Sequence, residues 1–278
     1  MTVSSAEWPF RQIAGVIDLA GGKAVHAIAG ERAGYQPVQS CGGDPVTLVR
    51  QYRELGVRAF YIADLDSICG QPVQEVLLHE LASEIEGDLL VDTGWSGAES
   101  ESAIDGICRL VESHASIGLI AATETARSPL MLDRLLEHVA AERVWLGLDF
   151  RGGDLLVSRH LREHGFSPDS RVGAALNAMI RDGEIVGDRT NREFCVDCSL
   201  WLDHATSLGM NGVVVLDIAA VGQKFGPVTG RMCSDIKKSH PHLTIWSGGG
   251  IRDASDAMQL VQQGCDRCLV ATALQGHP

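Results

Sequence analysis

The chain is written twice. Ile17-Asp18-Leu19-Ala20-Gly21-Gly22-Lys23 reads like Leu148-Asp149-Phe150-Arg151-Gly152-Gly153-Asp154: an aspartate closing an apolar run, then a Gly-Gly turn. Asp64-Leu65 and Asp217-Ile218 close the next run in each half, with Gly70-Gln71 and Gly222-Gln223 after them. Asp92-Thr93-Gly94 then takes the place of Gly248-Gly249-Gly250, and Ile120-Ala121-Ala122-Thr123 that of Leu269-Val270-Ala271-Thr272. Four correspondences in one order mark an internal repeat of half-chain length, which suits a duplicated half-barrel.

Strand-like apolar runs lie at 13–19, 58–63, 88–91, 117–122, 144–148, 212–216, 243–246 and 268–271. Helix-like stretches separate them at 45–55, 73–84, 98–113, 129–140, 199–208, 229–238 and 254–263. Asp44-Pro45 and Ser128-Pro129 each place a capping oxygen ahead of a proline, and Gly56 and Gly209 are natural helix stops. Eight strands alternating with helices over 278 residues predict the α/β class and a (β/α)8 TIM barrel made of two half-barrel repeats. A doubly wound sheet is the runner-up. The whole chain, 1–278, reads as one domain, with a long insertion at about 152–197 after the fifth strand. Within the insertion a helix is expected at 172–180 and a short hairpin at 182–188, as a lid, a binding element or an interface.

A net charge of −13 argues against partnership with nucleic acid or an anionic membrane surface. The start of the chain lacks a basic segment leading into an apolar one, and no apolar run is long enough to cross a bilayer, so a cytoplasmic protein is expected. Eight cysteines are too few for a disulfide scaffold. The pairs Cys195/Cys198 and Cys265/Cys268 have the spacing of half a zinc site each. Cys265 and Cys268 read better as the entry to a buried strand, and Cys195/Cys198 as the more exposed pair.

Two places carry chemistry. Ser247, Gly248, Gly249 and Gly250 form a loop between a buried strand and a helix capped by Asp253, so free amides and a positive helix end meet where a phosphate would sit. In a barrel, Asp18 and Asp149 close strands on opposite sides of one pocket, a candidate acid/base pair provided their environments push their pKa values apart. The alternative for each is an aspartate that only holds the amides of its own turn. Asp64, Asp217 and Trp95 are candidate substrate-lining residues. His26, His79, Trp145 and Trp246 read as packing or surface residues, and Lys23, Lys224 and Arg252 as solvated cations.

The motifs at Ile17–Val25, Ala63–Asp66, Leu148–Gly153, Asp217-Ile218 with Gly222 and Gly226-Pro227, and Ser247–Arg252 resemble those of the HisA/HisF family of histidine-biosynthesis barrels, and HisA within it, the phosphoribosylformimino-aminoimidazole carboxamide ribotide isomerase. The resemblance implies an Amadori-type aldose-to-ketose isomerisation of an aminated sugar phosphate, with Asp18 as general base and Asp149 as general acid. It also implies a phosphate site at Gly248–Gly250 and Ala271-Thr272, and no metal or organic cofactor. HisA holds a phosphate at each end of its substrate, yet the first phosphate loop reads Asp92-Thr93-Gly94-Trp95 here, with a carboxylate in place of a glycine.

The expectation is therefore a HisA-like acid/base enzyme acting on a phosphorylated sugar or heterocycle, outside the histidine-pathway step itself. One-carbon carrier cofactor biosynthesis is a candidate setting suggested by the same resemblance. The alternative is a catalytically degenerate barrel kept as a phosphate-ligand binding or assembly subunit, since Leu216, Val221 and Asp92 stand at family functional positions. The chain ends at Gly276-His277-Pro278, where the family has a final helix. Trp8-Pro9-Phe10 or a second subunit would then cover that face, and a homo-oligomer is expected.

Overall fold

The structure is a computed structural model that describes residues 8–128, 130–158, 196–223 and 225–275. Eight parallel strands close into a barrel in the order β1 (Ile13–Ala20), β4 (Ala59–Asp64), β5 (Leu89–Asp92), β6 (Ile117–Ala122), β7 (Val144–Arg151), β9 (Gly212–Asp217), β10 (Thr244–Gly248) and β11 (Arg267–Val270). The ring closes where Ile13, Ala14 and Gly15 pair with Cys268, Leu269 and Val270. All eight runs read from the sequence are barrel strands, so the (β/α)8 expectation holds and the doubly wound alternative does not.

Helices α1 (Pro45–Leu55), α2 (Leu65–Ile68), α3 (Glu75–Glu84), α4 (Glu101–Ser113), α5 (Met131–Leu136), α6 (Val196–Ser207), α7 (Gly230–Ser239) and α8 (Ala254–Gln262) lie between the strands. Asp44 caps α1 by accepting from the Thr47 amide at 3.0 Å, and Asp253 caps α8 through the Asp256 amide at 3.0 Å, both as the sequence suggests. Helix α5 is shorter than expected, and Pro129 lies outside the described residues. The expected helix at 172–180, the hairpin at 182–188, Cys195, Lys224 and the last three residues lie outside them too.

Each strand is buried on both faces because alternate residues face two cores. Phe60 and Ile62 of β4 join the layer between barrel and helices, while Tyr61 and Ala63 face the interior with Ala14, Leu90, Ile120, Val214 and Leu269. Trp145 and Trp246 meet edge-to-face inside the barrel with centroids 5.4 Å apart, as expected of core residues. A side chain at Gly212 would lie 2.3 Å from the Trp145 ring, so the small residue makes room for the large one. Trp8 and Phe10 pack against the outer core, with the turn Phe10–Gln12 next to β11.

Two hairpins go beyond the sequence reading. The Gly21-Gly22 turn folds the chain back as β2 (Lys23–His26), antiparallel to β1, and β3 (Gln36–Pro37) extends it. The Gly152-Gly153 turn does the same with β8 (Asp154–Leu155) against β7. Both glycines of each pair have positive φ, between 56° and 93°, as a two-residue hairpin turn requires.

Truncating Trp246, which is 2% exposed, removes the centre of the inner core. Trp246→Ala is expected to lower the unfolding free energy by about 3–5 kcal/mol, read as a shift of the urea midpoint at unchanged slope.

Candidate active site

Strand register decides which residues reach the pocket. Asp18 pairs with Ala63, and Asp149 with Leu216, so these four share the inward face at the C-terminal end of the barrel. Asp92, the last residue of β5, pairs with Ala63 and faces inward as well. They line a cavity of about 280 Å³, together with Tyr61, Glu124 and, from the β2–β3 excursion, His26, Arg32 and Tyr35. Strands β1 and β7 are four steps apart whichever way the ring is followed, which puts Asp18 and Asp149 on opposite walls.

Among the described residues neither the Asp18 nor the Asp149 carboxyl has a hydrogen-bonding partner. The turn amides that each could have held are held by others. Gly21 donates to Asp66 Oδ2 at 2.8 Å and Gly22 to Gln74 Oε1 at 2.9 Å, while Gly152 and Gly153 donate to the two oxygens of Asp217 at 3.2 and 3.0 Å. Gln74 is fixed in turn by Asp64, which accepts from its backbone amide at 2.7 Å and its side chain at 2.8 Å. The turn-holding alternative is thereby removed for both aspartates.

The same contacts correct the reading of Asp64 and Asp217 as substrate-lining. Each stands one residue beyond the inward position, opposite Leu19 and Phe150, so each points out of the barrel and is 0% and 2% exposed. Trp95 is corrected too. Its indole donates to the Met131 carbonyl at 2.8 Å and its ring packs in the outer core, away from the cavity. His26, read as a packing residue, lines the cavity instead. Cys198, read as part of an exposed pair, is buried on α6, whereas Cys265 and Cys268 are buried at β11 as expected.

Electrostatics separates the two carboxyls. Burial raises Asp18 to about 7, opposed by the nearby Arg32 guanidinium. Burial holds Asp149 well above the usual carboxylate range, and the charges of Glu124 and Asp92 push it the same way against Arg32. Asp149 is thus held more firmly toward its protonated form, while Asp18, raised to about 7, is poised between its two forms at neutral pH, the kind of division an acid/base pair needs. Arg32 is tied to Glu124 at 3.2 Å and to the Cys69 sulfur at 3.2 Å, which fastens the β2–β3 excursion across the opening.

At the other end, the amides of Gly250 and Ile251, after β10, and of Thr272 and Ala273, after β11, have no partner among the described residues, and all four residues line the cavity. Pairing of Gly248 with Leu269 sets the two loops side by side. Gly250 has φ +81°, and a Cβ there would stand 2.7 Å from the Gly226 carbonyl oxygen, so only glycine fits. Ser247 does not reach the cavity. Its hydroxyl donates to Val215 O and pairs with Thr229 Oγ1, each at 2.7 Å, which corrects it from ligand to support for the loop. Gly248 is likewise behind the lining, at the end of β10, while Gly249, Gly250, Ala271 and Thr272 face the cavity. Arg252 is at the rim, not free in solvent: its guanidinium is held by Asp256 at 2.7 and 2.9 Å.

A family model described as "Histidine biosynthesis protein" matches residues 12–278. The chain belongs to that family. Among its relatives are phosphoribosyl-substituted imidazole-4-carboxamide isomerases from two strains of Thermus thermophilus, 24% and 27% identical, each alignment covering 93% of this chain and 92% of the relative. An uncharacterized protein of Methanocaldococcus jannaschii is 24% identical, with 93% of this chain and 91% of that protein covered.

Sequence reasoning missed Arg32, Tyr35, Tyr61 and Glu124. Tyr61 was available from strand parity with Ala63, and Glu124 from its place just after the inward Ala122. Nothing in the 21–44 segment signalled that Arg32 would return over the pocket.

The raised Asp18 has a consequence for stability. Its proton is lost near the ordinary carboxylate range, about 4, in the unfolded chain but near 7 in the folded one, so its stabilising contribution is full below that window and lost as pH rises through it. Asp18→Asn is expected to flatten this part of the stability profile, and urea midpoints between about pH 5 and pH 8 would converge with wild type only at the acid end.

Proposed function

We propose that the protein is an intramolecular isomerase of the HisA type, acting by proton transfer on a phosphorylated sugar or heterocycle anchored at the 249–250 and 271–272 loops. The carrying observation is the pair of cavity-facing carboxyls, unpartnered on opposite walls and unequally raised. The isomerase names of the Thermus relatives point to a phosphoribosyl substrate. In an Amadori rearrangement of such an aminated aldose, protonated Asp149 donates to the ring oxygen as the ring opens. Ionised Asp18 then removes the proton from the neighbouring carbon, and the resulting enolamine becomes the amino ketose as its amine-bearing carbon takes up a proton and its enol hydroxyl gives one up. The amides of Gly250, Ile251, Thr272 and Ala273 hold the phosphate and fix the reacting carbons against the two walls.

The histidine-pathway substrate has a second phosphate, and the carboxylate of Asp92 at the other end supports a different, singly phosphorylated one. Retention of the acid/base pair favours turnover over a purely binding role.

With a phosphorylated aminoaldose as substrate, Asp149→Asn is expected to lower kcat by about 10²–10⁴-fold while leaving phosphate binding intact. The wild-type rate should rise as pH increases through about 7, as Asp18 ionises, and Asp18→Asn should abolish that limb. Full activity in Asp149→Asn would end the proposal.

A further inference from the structure

Each half-barrel has a strand-to-helix loop at the corresponding place, 93–100 after β5 and 249–253 after β10, and the two can be compared. After β10 the Gly250 amide is unpaired and faces the cavity. After β5 its counterpart, the Gly94 amide, donates to Asp92 Oδ1 at 2.8 Å. The backbone is the same kind in both, with φ +69° at Gly94 and +81° at Gly250, and a Cβ at Gly94 would meet Ile68 Cα at 2.6 Å. At the preceding position the loops differ, Gly249 having φ +93° where Thr93 has no positive φ, and the Gly94 amide has a partner where the Gly250 amide has none. The chain itself supplies the anion that the other loop leaves to be brought from outside.

Asp92 is 6% exposed yet lines the cavity, and among the described residues its second oxygen has only the Tyr61 hydroxyl, at 3.4 Å. The cation of this end, Arg32, is already paired with Glu124. An incoming phosphate would meet a carboxylate where its sister loop offers a free amide. A group that brings its own N–H would meet an acceptor.

We propose that Asp92 is a specificity-determining residue that excludes a second phosphate and accepts a hydrogen bond from an amino group at the end of the substrate remote from its phosphate. This rests on the reading of the 249–250 and 271–272 loops as the phosphate site.

The experiment is a calorimetric titration of wild type, Asp92→Gly and Asp92→Asn with inorganic phosphate, then with a pentitol monophosphate carrying a terminal amine and with the corresponding bisphosphate, the sites being located by crystal soaks. Wild type is expected to take one phosphate, at Gly250 and Thr272, and to prefer the amine. Asp92→Gly is expected to take a second phosphate at the Gly94 amide and to shift the preference toward the bisphosphate by roughly ten-fold or more. Asp92→Asn can keep the Gly94 hydrogen bond without the charge, and is expected to fall between the two if the glycine variant folds poorly. Because burial raises Asp92 to about 6, lowering the pH below that value should move wild type in the direction of Asp92→Asn. A phosphate at Gly94 in wild type, or an unchanged preference in both variants, would overturn the proposal while leaving the isomerase reading intact. No phosphate at Gly250 and Thr272 in any of the three would overturn both.

Discussion

The site depends on a transfer of hydrogen-bonding work between neighbouring strands. A Gly-Gly hairpin turn at the mouth of a barrel has amides that need acceptors, and the carboxylates that close the strand ahead of each turn are Asp18 and Asp149. In both halves the acceptor comes instead from the next strand or its loop: Asp66 and Gln74, with Asp64 behind, for the first turn, and Asp217 for the second. These acceptors fix the hairpins, and Asp18 and Asp149 are left with free oxygens directed into the cavity. Without that division of labour the two aspartates would be structural, and the barrel would have a pocket with no reacting groups.

How far the sequence could be read follows from periodicity. The repeat and the alternation of strands and helices specify the barrel because each strand is buried on both faces. Asp18 and Asp149 were legible because the duplication placed them at equivalent strand ends. Asp64 and Asp217 are just as duplicated, and duplication alone cannot tell a ligand from its support. The missing criterion is parity, since one residue along a strand turns a side chain from the cavity to the outer core. Trp95 failed for a related reason: a loop next to a pocket can still send its largest side chain into the core when a carbonyl, here Met131, is there to receive the indole. Arg32 was invisible because its position is set by long-range packing of an irregular excursion, which leaves no local pattern.

The acid-rich end of the cavity links specificity to catalysis. The negative charges of Asp92 and Glu124 oppose anions, and the same charges add to burial in raising Asp149 above the usual carboxylate range. Asp18 feels Arg32 as its main neighbouring charge and so ionises more readily than Asp149. A single arrangement of charged groups thus separates the two carboxyls without direct contact between them.

Losing a phosphate anchor at one end removes binding energy that could position the reacting carbons. The structure offers two compensations. The Arg32–Glu124 tie draws the β2–β3 excursion over the pocket, so part of the ordering is present before substrate arrives. And the hydrogen bond that Asp92 accepts from the Gly94 amide ties this loop to the end of β5 from within the chain. The residue that closes this end to phosphate is therefore also the one that holds it in place, and any substitution there acts on specificity, on Asp149 and on the loop together.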